Sequence, residues 1–316
     1  MVYIGIDVGG TGIQVGVVDE QGCIRQKGDI PTRTDLSFEE QVRQMADCVL
    51  DTLEKASVSL DEVHSIGLGV PGIADAKTGV VPFCTNLGWH NVPLREEFRK
   101  HIDKPIYIDN DATVAGLAES VAGVSAGTDS SVFMTLGTGV GGGIVLHGKV
   151  WSGFHGTGSE IGHMILALDG EPCTCGNHGC LERYCSATAV IRMAREAVKK
   201  YPESAILDAC EGDAARINAR IVFDAARKGD AAALEVFNRY VCYLGQAIAN
   251  IQNFLDPEVI VLGGGVSKAG AFLLDAVRAE FPKYCLYKGM PYGRIELARL
   301  GADAGIIGAA MLGKDN

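Results

Sequence analysis

The segment from residue 160 to residue 182, EIGHMILALDGEPCTCGNHGCLE, places one imidazole and three thiols close together in sequence and frames them with two carboxylates. His163, Cys173, Cys175 and Cys180 form a donor set that tetrahedral zinc accepts, three thiolates completed by one imidazole. Thiols this crowded suit a metal loop better than helix packing, although most free cysteines are simply small buried hydrophobes. Gly176 and Gly179 supply tight turns around the ion. Four protein ligands leave no open coordination position, which is the pattern of a structural site. Glu160 and Glu182 either point into solvent, as lone glutamates usually do, or use the pinned loop as a platform from which to accept hydrogen bonds from a hydroxylated ligand. His163 has a second ring nitrogen that can link the metal to that ligand.

Two glycine-rich turns offer a different chemistry. Asp7-Val8-Gly9-Gly10-Thr11 and Leu136-Gly137-Thr138-Gly139-Val140-Gly141-Gly142-Gly143 each expose backbone N–H groups able to cradle phosphate oxygens, with Thr11 adding a hydroxyl. One such turn alone reads as an ordinary hairpin; two at matching positions favour a nucleotide held by both. Each leads into a second strand, so neither the Walker A loop nor the Rossmann fingerprint applies, since both need a helix amino terminus there. A third cluster, Gly263-Gly264-Gly265, follows the apolar run EVIVL. Asp109-Asn110-Asp111 lies between the strand-like PIYI and a helical pattern. There Asp111 either caps the helix or stands as a carboxylate near a helix amino terminus, placed to take a proton from an attacking hydroxyl.

The elements that must position these groups alternate along the chain. VYIGIDV and IQVGVVD predict a hairpin around the first turn, and SVFMTLGTGVGGGIVLH repeats the design, as an internal duplication would. Helical spacing covers EEQVRQMADCVLDTLEKA, DATVAGLAESVAG and AAALEVFNRYVCYLGQAIANIQNFL, the last ended by Asp256 and Pro257. SKAGAFLLDAVRAEF predicts a further helix with its serine as cap. Alternation of this kind gives an α/β class. At 316 residues the chain suits two domains: an N-terminal lobe over residues 1–122 and a larger one over 123–301 carrying the thiol loop. Residues 302–316 are expected to return to the first lobe.

The net charge of −11 and the lack of a Lys/Arg stripe argue against nucleic acid as a partner. No uninterrupted apolar stretch has the length of a membrane span, and MVYIGIDVGG has no cationic leader, so a cytoplasmic protein is expected. Ten cysteines need no disulfide framework in a chain this long. Cys23, Cys48, Cys84, Cys185, Cys210, Cys242 and Cys285 read as scattered core or surface thiols. Trp89 in NLGWHN reads as core or as an apolar wall beside a ring.

DVGGT, NLGW, DNDA, LGTGVGGG, EIGH, CTCGNHGCLE and LGGGVS occur in this order over nearly the whole chain. On these motifs the sequence resembles the ROK family of sugar kinases and repressors, and within it the bacterial ATP-dependent glucokinases. The resemblance implies an actin-like ATPase (ribonuclease H-like) fold, two lobes around a cleft holding ATP and a hexose. It implies Asn110, Asp111, Glu160, His163 and Glu182 as sugar contacts, with Asn86 a further one. Asp111 becomes the base, and His163, Cys173, Cys175 and Cys180 the structural Zn²⁺ ligands. Gly9, Gly10, Thr11, Gly137, Thr138, Gly139, Gly264 and Gly265 fall to ATP, and Asp7 to its Mg²⁺. A homodimer or higher homo-oligomer is implied as well. One position departs: the family commonly has Asn where Thr113 stands, which touches the hydrogen bonding around Asp111.

The activity expected is phosphorylation of the 6-hydroxyl of glucose by ATP. Another hexose or N-acetylhexosamine kinase (for allose, mannose, fructose or N-acetylmannosamine) is the alternative, as is a non-catalytic sugar-binding regulator. A repressor with a helix-turn-helix ahead of the kinase-like lobes fits less well, since the phosphate motif already begins at Asp7.

Overall fold

The computed structural model describes residues 1–314 and divides into two compact α/β units. Unit one comprises Met1–Phe133, Gly143–Ser159 and Arg299–Asn316; unit two comprises Met134–Gly142 and Glu160–Ala298. Both are discontinuous in sequence, where motif placement expects a first cut after residue 122.

Unit one is built on a five-stranded sheet, β3-β2-β1-β4-β8. Its strands are β1 (Val2–Val8), β2 (Gly12–Asp19), β3 (Ile24–Pro31), β4 (Val63–Val70) and β8 (Ile106–Asn110). A smaller antiparallel sheet, β5 (Ile73–Asp75), β6 (Val80–Cys84) and β7 (Trp89–Val92), precedes β8. β1 pairs antiparallel with β2 through the expected hairpin, and parallel with β4, which pairs parallel with β8. The carboxyl end of β1, which bears Asp7, is thereby carried on the same sheet as the carboxyl end of β8, which leads to Asp111. Helix α1 (Phe38–Ala56) opens with a reciprocal capping box between Ser37 and Glu40, worth roughly 1 kcal/mol. Its apolar face joins the core formed by Ile4, Ile6, Val15, Val17, Ile66 and Leu68.

The helix Ala304–Met311 packs against β1 and β4 in this unit. Gly5 and Gly67 make the approach possible: a β-carbon at either would lie 1.9 and 1.8 Å from the carbonyl oxygens of Ile306 and Ala309. Residues 315 and 316, which the sequence reading assigns to this stretch, lie outside the described residues.

A second five-stranded sheet has the order β11-β10-β9-β12-β13. β9 (Ser130–Leu136) and β10 (Val140–Leu146) form the second glycine hairpin, with β11 (Lys149–Val150), β12 (Val259–Gly263) and β13 (Arg294–Leu297) beside them. In unit two the helix Ala231–Leu255 ends where Asp256 turns left-handed, with φ 46°, just ahead of Pro257. One expected cap is not formed. Ser267 closes the short helix Gly264–Ser267 by donating to Gly264 O at 2.7 Å, and the following helix, Ala271–Glu280, starts from Gly270 without a side-chain cap. The reason is local: the chain turns helical directly after β12, four residues before the pattern suggests. No helix among the described residues is long and apolar enough to cross a membrane.

Candidate active site and thiolate centre

Helix α2 (Asp111–Ala122) overturns one of the two readings of Asp111, that of helix cap. Its N-cap is Asn110, whose side-chain oxygen accepts from Ala112 N at 2.9 Å and Thr113 N at 3.2 Å, while its amide donates to Gly72 O at 2.9 Å. Asp111 is therefore the first helical residue rather than the cap, and its Oδ1 accepts from Ala112 N at 2.8 Å. It is open to solvent yet crowded by protein, and this crowding moves its pKa upward. Asp7 at the end of β1 is pushed up to about 6, first by burial and then by the charge of Asp111. Two carboxylates that repel one another in this way form a setting for a cation or a shared proton.

The first glycine turn closes on itself. Gly9 N donates to Gly12 O at 3.0 Å, and Thr32 Oγ1 fastens Gly9 O at 2.6 Å. Gly10 lies against Asn86, a β-carbon there standing 3.5 Å from Asn86 Cβ, and Thr11 is exposed. Trp89 does not form a ligand wall. It is 2% exposed, packs edge-on against Phe38 and donates its indole N–H to Gln41 Oε1 at 3.1 Å.

Thr113, where the expected amide is missing, is 1% exposed and pairs its hydroxyl with that of Ser159 at 3.1 Å. Asp109, which the sequence reading did not single out, is likewise buried. It accepts from Asn110 N at 2.7 Å and from Ser152 Oγ at 3.1 Å, and burial pushes its pKa up to about 6.

In unit two the thiol loop is folded as its glycines require. Gly176 and Gly179 have φ of 94° and 76°, and a β-carbon at Gly179 would fall 1.7 Å from Ala167 O. Short bridges join Ile165 to Cys180 and Pro172 to His178. The donor atoms of His163, Cys173, Cys175 and Cys180 all lie within 4.8 Å of one another. Cys175 and Cys180 sulfurs are 3.6 Å apart, and Cys173 Sγ is 3.7 Å from His163 Nδ1. Zinc–sulfur bonds of about 2.3 Å in a tetrahedron separate their sulfurs by about 3.8 Å, so the residues fit the ion.

The free edge of His163 faces a carboxylate, with Nε2 3.9 Å from Glu160 Oε2. Glu182 opens the short helix Glu182–Cys185, and its Oε1 is 3.3 Å from Cys173 Sγ. Its other oxygen crowds the second glycine turn: a β-carbon on Gly139 would stand 2.6 Å from Oε2. Both glutamates thus flank the thiolate loop. The turn itself is fixed by Gly137 N to Gly139 O at 3.0 Å and by Thr188 Oγ1 to Thr138 O at 2.7 Å. Gly264, with φ 81°, packs on the backbone of Leu136, and Gly265 borders a cavity of about 610 Å³. Arg220, Phe223, Asp224, Arg227 and Lys268 line that cavity; none was legible as a site residue, because nothing in their spacing sets them apart from an ordinary helix surface.

A carboxylate at a strand-to-helix junction, glycine hairpins in both sheets and a thiol loop framed by carboxylates accord with a phosphotransferase of the actin-like ATPase fold. The ROK family model matches residues 3–316, and the chain belongs to the ROK family. A glucokinase of Halalkalibacterium halodurans is 40% identical over 99% of this chain and 94% of its own length. One of Thermotoga maritima is 38% identical over 99% and 97%. Among solved structures, the ROK family glucokinase of Streptomyces griseus, in complex with glucose and AMPPNP, superposes with a TM-score of 0.83 at 33% identity and full coverage of both chains.

Proposed function

We propose that the chain is an ATP-dependent glucokinase, transferring the γ-phosphoryl group of MgATP to the 6-hydroxyl of glucose. The observation that carries the reading is the placement of Asp111. Because Asn110 does the capping, the Asp111 carboxylate remains solvent-reachable, and its upward-shifted pKa brings it nearer the range in which a general base works. Asp111 takes the proton as the 6-oxygen attacks phosphorus and the bond to the ADP oxygen breaks; the proton then passes to solvent.

Phosphoryl transfer rests mainly on positioning and charge neutralisation, so few catalytic side chains suffice. In this reading Asn110, Glu160, His163 and Glu182 hold the sugar, with Asn86 contributing. The turns at Gly9–Thr11 and Gly137–Gly139 and the residues Gly264 and Gly265 serve the nucleotide, and the cavity beside Gly265 takes its base. Asp7 helps hold the Mg²⁺ that neutralises the phosphates. Zinc, held by His163, Cys173, Cys175 and Cys180, fixes the loop that carries the sugar acceptors and takes no part in the chemistry. A cytoplasmic homo-oligomer completes the reading, on the strength of the family resemblance.

The test is a coupled ADP-release assay with MgATP across glucose, mannose, fructose, allose, N-acetylglucosamine and N-acetylmannosamine. Glucose should give the highest kcat/KM. Higher efficiency with an N-acetylhexosamine or allose would overturn the glucose assignment, and no sugar-dependent ADP release would overturn the kinase.

A further inference from the structure

We infer that residues Ser152–Ser159 form a strap that positions the phosphoryl-transfer site, anchored by two hydroxyl contacts that straddle Asp111: Ser152 to Asp109 and Ser159 to Thr113. The inference deepens the kinase reading and rests on it. Asp109 stands two residues before the proposed base and Thr113 two residues after it, so both ends of the strap are tied to the junction that carries Asp111.

Three of the four anchor residues, Asp109, Thr113 and Ser159, are buried, and Ser152 is half-buried. Ser152 Oγ lies 3.1 Å from Asp109 Oδ2 and 3.3 Å from Oδ1, and Asp109 is 4% exposed. Thr113 and Ser159, 1% and 6% exposed, face one another at 3.1 Å. Between the anchors the strap closes on itself, Gly158 N donating to Ser152 O at 2.8 Å, in the manner of an Ω-loop. Its middle rests on the β5–β6 hairpin: Lys77 Nζ sits 4.8 Å from the centre of the Phe154 ring, and Gly156 approaches Ala74 so closely that a β-carbon would fall 2.6 Å from Ala74 O.

The strap ends at Ser159, and the next residue is Glu160. A proposed sugar acceptor is therefore one peptide bond from a hydroxyl tied to the helix whose first residue is the proposed base. A polar pair buried as deeply as Thr113 and Ser159 must be satisfied as a pair: deleting one hydroxyl strands the other without water. The strap end would then shift to find a new partner, and displacements of about 1 Å near a reacting hydroxyl cost up to about a hundredfold in rate. Thr113 and Ser159 are positioning residues on this account, since neither is argued to touch substrate.

The experiment compares Thr113→Val, Ser159→Ala, the double variant and Thr113→Ser in the full chain, measuring glucose and MgATP kinetics separately. Val replaces Thr at nearly equal volume, which isolates the hydroxyl. Each single variant should lower kcat/KM for glucose by roughly tenfold to a hundredfold while KM for MgATP stays within about twofold. The double variant should be no worse than the poorer single one, and Thr113→Ser should recover most of the activity. Additive losses, equal losses toward both substrates, or failure of Thr113→Ser to rescue would overturn the strap. Amide hydrogen exchange of residues 152–159 gives a readout independent of activity: Thr113→Val should speed it by tenfold or more, and unchanged exchange also overturns the proposal. Wild type without glucose-dependent turnover but with that exchange response would instead sink the kinase reading and leave the strap standing.

Discussion

Gly305 leaves open the space that the Asp7 carboxylate occupies. A β-carbon at Gly305 would stand 2.3 Å from Asp7 Oδ2 and 2.4 Å from its Cγ, and the carboxylate sits against the first turn of the helix Ala304–Met311. The end of β1 is thus shaped by residues almost three hundred positions away. Gly305→Ala must displace either the carboxylate or the helix. Overpacking of this kind costs about 1–3 kcal/mol, and Asp7 is the residue assigned to magnesium. The expected outcome is a lower unfolding midpoint in denaturant together with a raised KM for MgATP and little change in KM for glucose. Normal values for all three would show that the helix yields freely and that Asp7 is not held by this contact.

Asp111→Asn should separate the base from the fold. The amide is nearly isosteric with the carboxylate, and the cap contributed by Asn110 is untouched. Loss of a general base costs about a hundredfold to ten-thousandfold in turnover. Glucose affinity from equilibrium titration should stay within a fewfold of wild type. A variant that keeps half its turnover would remove the proton-transfer role.

Asp109 predicts a pH dependence of stability. Burial raises its pKa from an ordinary 3.8 to about 6, against the opposing hydrogen bonds from Asn110 N and Ser152. Lys77, Lys149 and Tyr107 line the same cavity of about 410 Å³ beside it. Between these two pH values the folded chain binds more protons than the unfolded chain, so the stability this group contributes falls as pH rises from about 4 to about 6. A shift of about two units corresponds to on the order of 3 kcal/mol. Asp109→Asn cannot titrate. Its stability relative to wild type, from denaturant unfolding at a series of pH values, should therefore improve by that order between pH 4 and pH 7, and a pH-independent difference would contradict the buried carboxylate.

The parts of the molecule legible in sequence are those where one short segment contains all the partners. The β1–β2 and β9–β10 hairpins, the helical spacing of α1 and the thiol loop with its two left-handed glycines each declare themselves within about twenty residues. The DND junction was legible as a junction, but not which residue capped it, because Asn and Asp are about equally good caps. What stayed hidden depends on contacts far apart along the chain. Thr113 meets Ser159 across 46 positions, Trp89 finds Gln41 across 48, and Gly305 makes room for Asp7. No periodicity marks a hydroxyl that will be buried against another, so in sequence the absence of an amide at position 113 reads as a loss, whereas in the fold Thr113 has Ser159 as its partner. The same holds for Arg220, Arg227 and Lys268, whose cavity exists only once their segments are brought together.

Zinc should prove structural yet not silent. Four protein ligands would close the coordination sphere of an ion held there and leave no position for water or substrate, and purified protein should hold one zinc per chain by plasma mass spectrometry. Removing one of the four would act through the loop on Glu160 and Glu182, the proposed sugar acceptors: Glu160 lies beside His163, and Glu182 lies between Cys173 and the turn at Gly139. Cys175→Ser keeps the size of the side chain and the exposed position of Cys175 while weakening the donor set, so core packing is little disturbed. Its KM for glucose should rise by tenfold or more and its turnover fall through misplacement of the hydroxyl, since rate is sensitive to displacements of about 1 Å. Nucleotide affinity should change much less if the zinc loop serves the sugar. Separate glucose and AMPPNP titrations of the zinc-depleted variant decide the matter. Unchanged glucose affinity would confine the metal to stability, equal losses for both ligands would mean that the unit as a whole had loosened, and wild type purified without zinc would remove the centre itself.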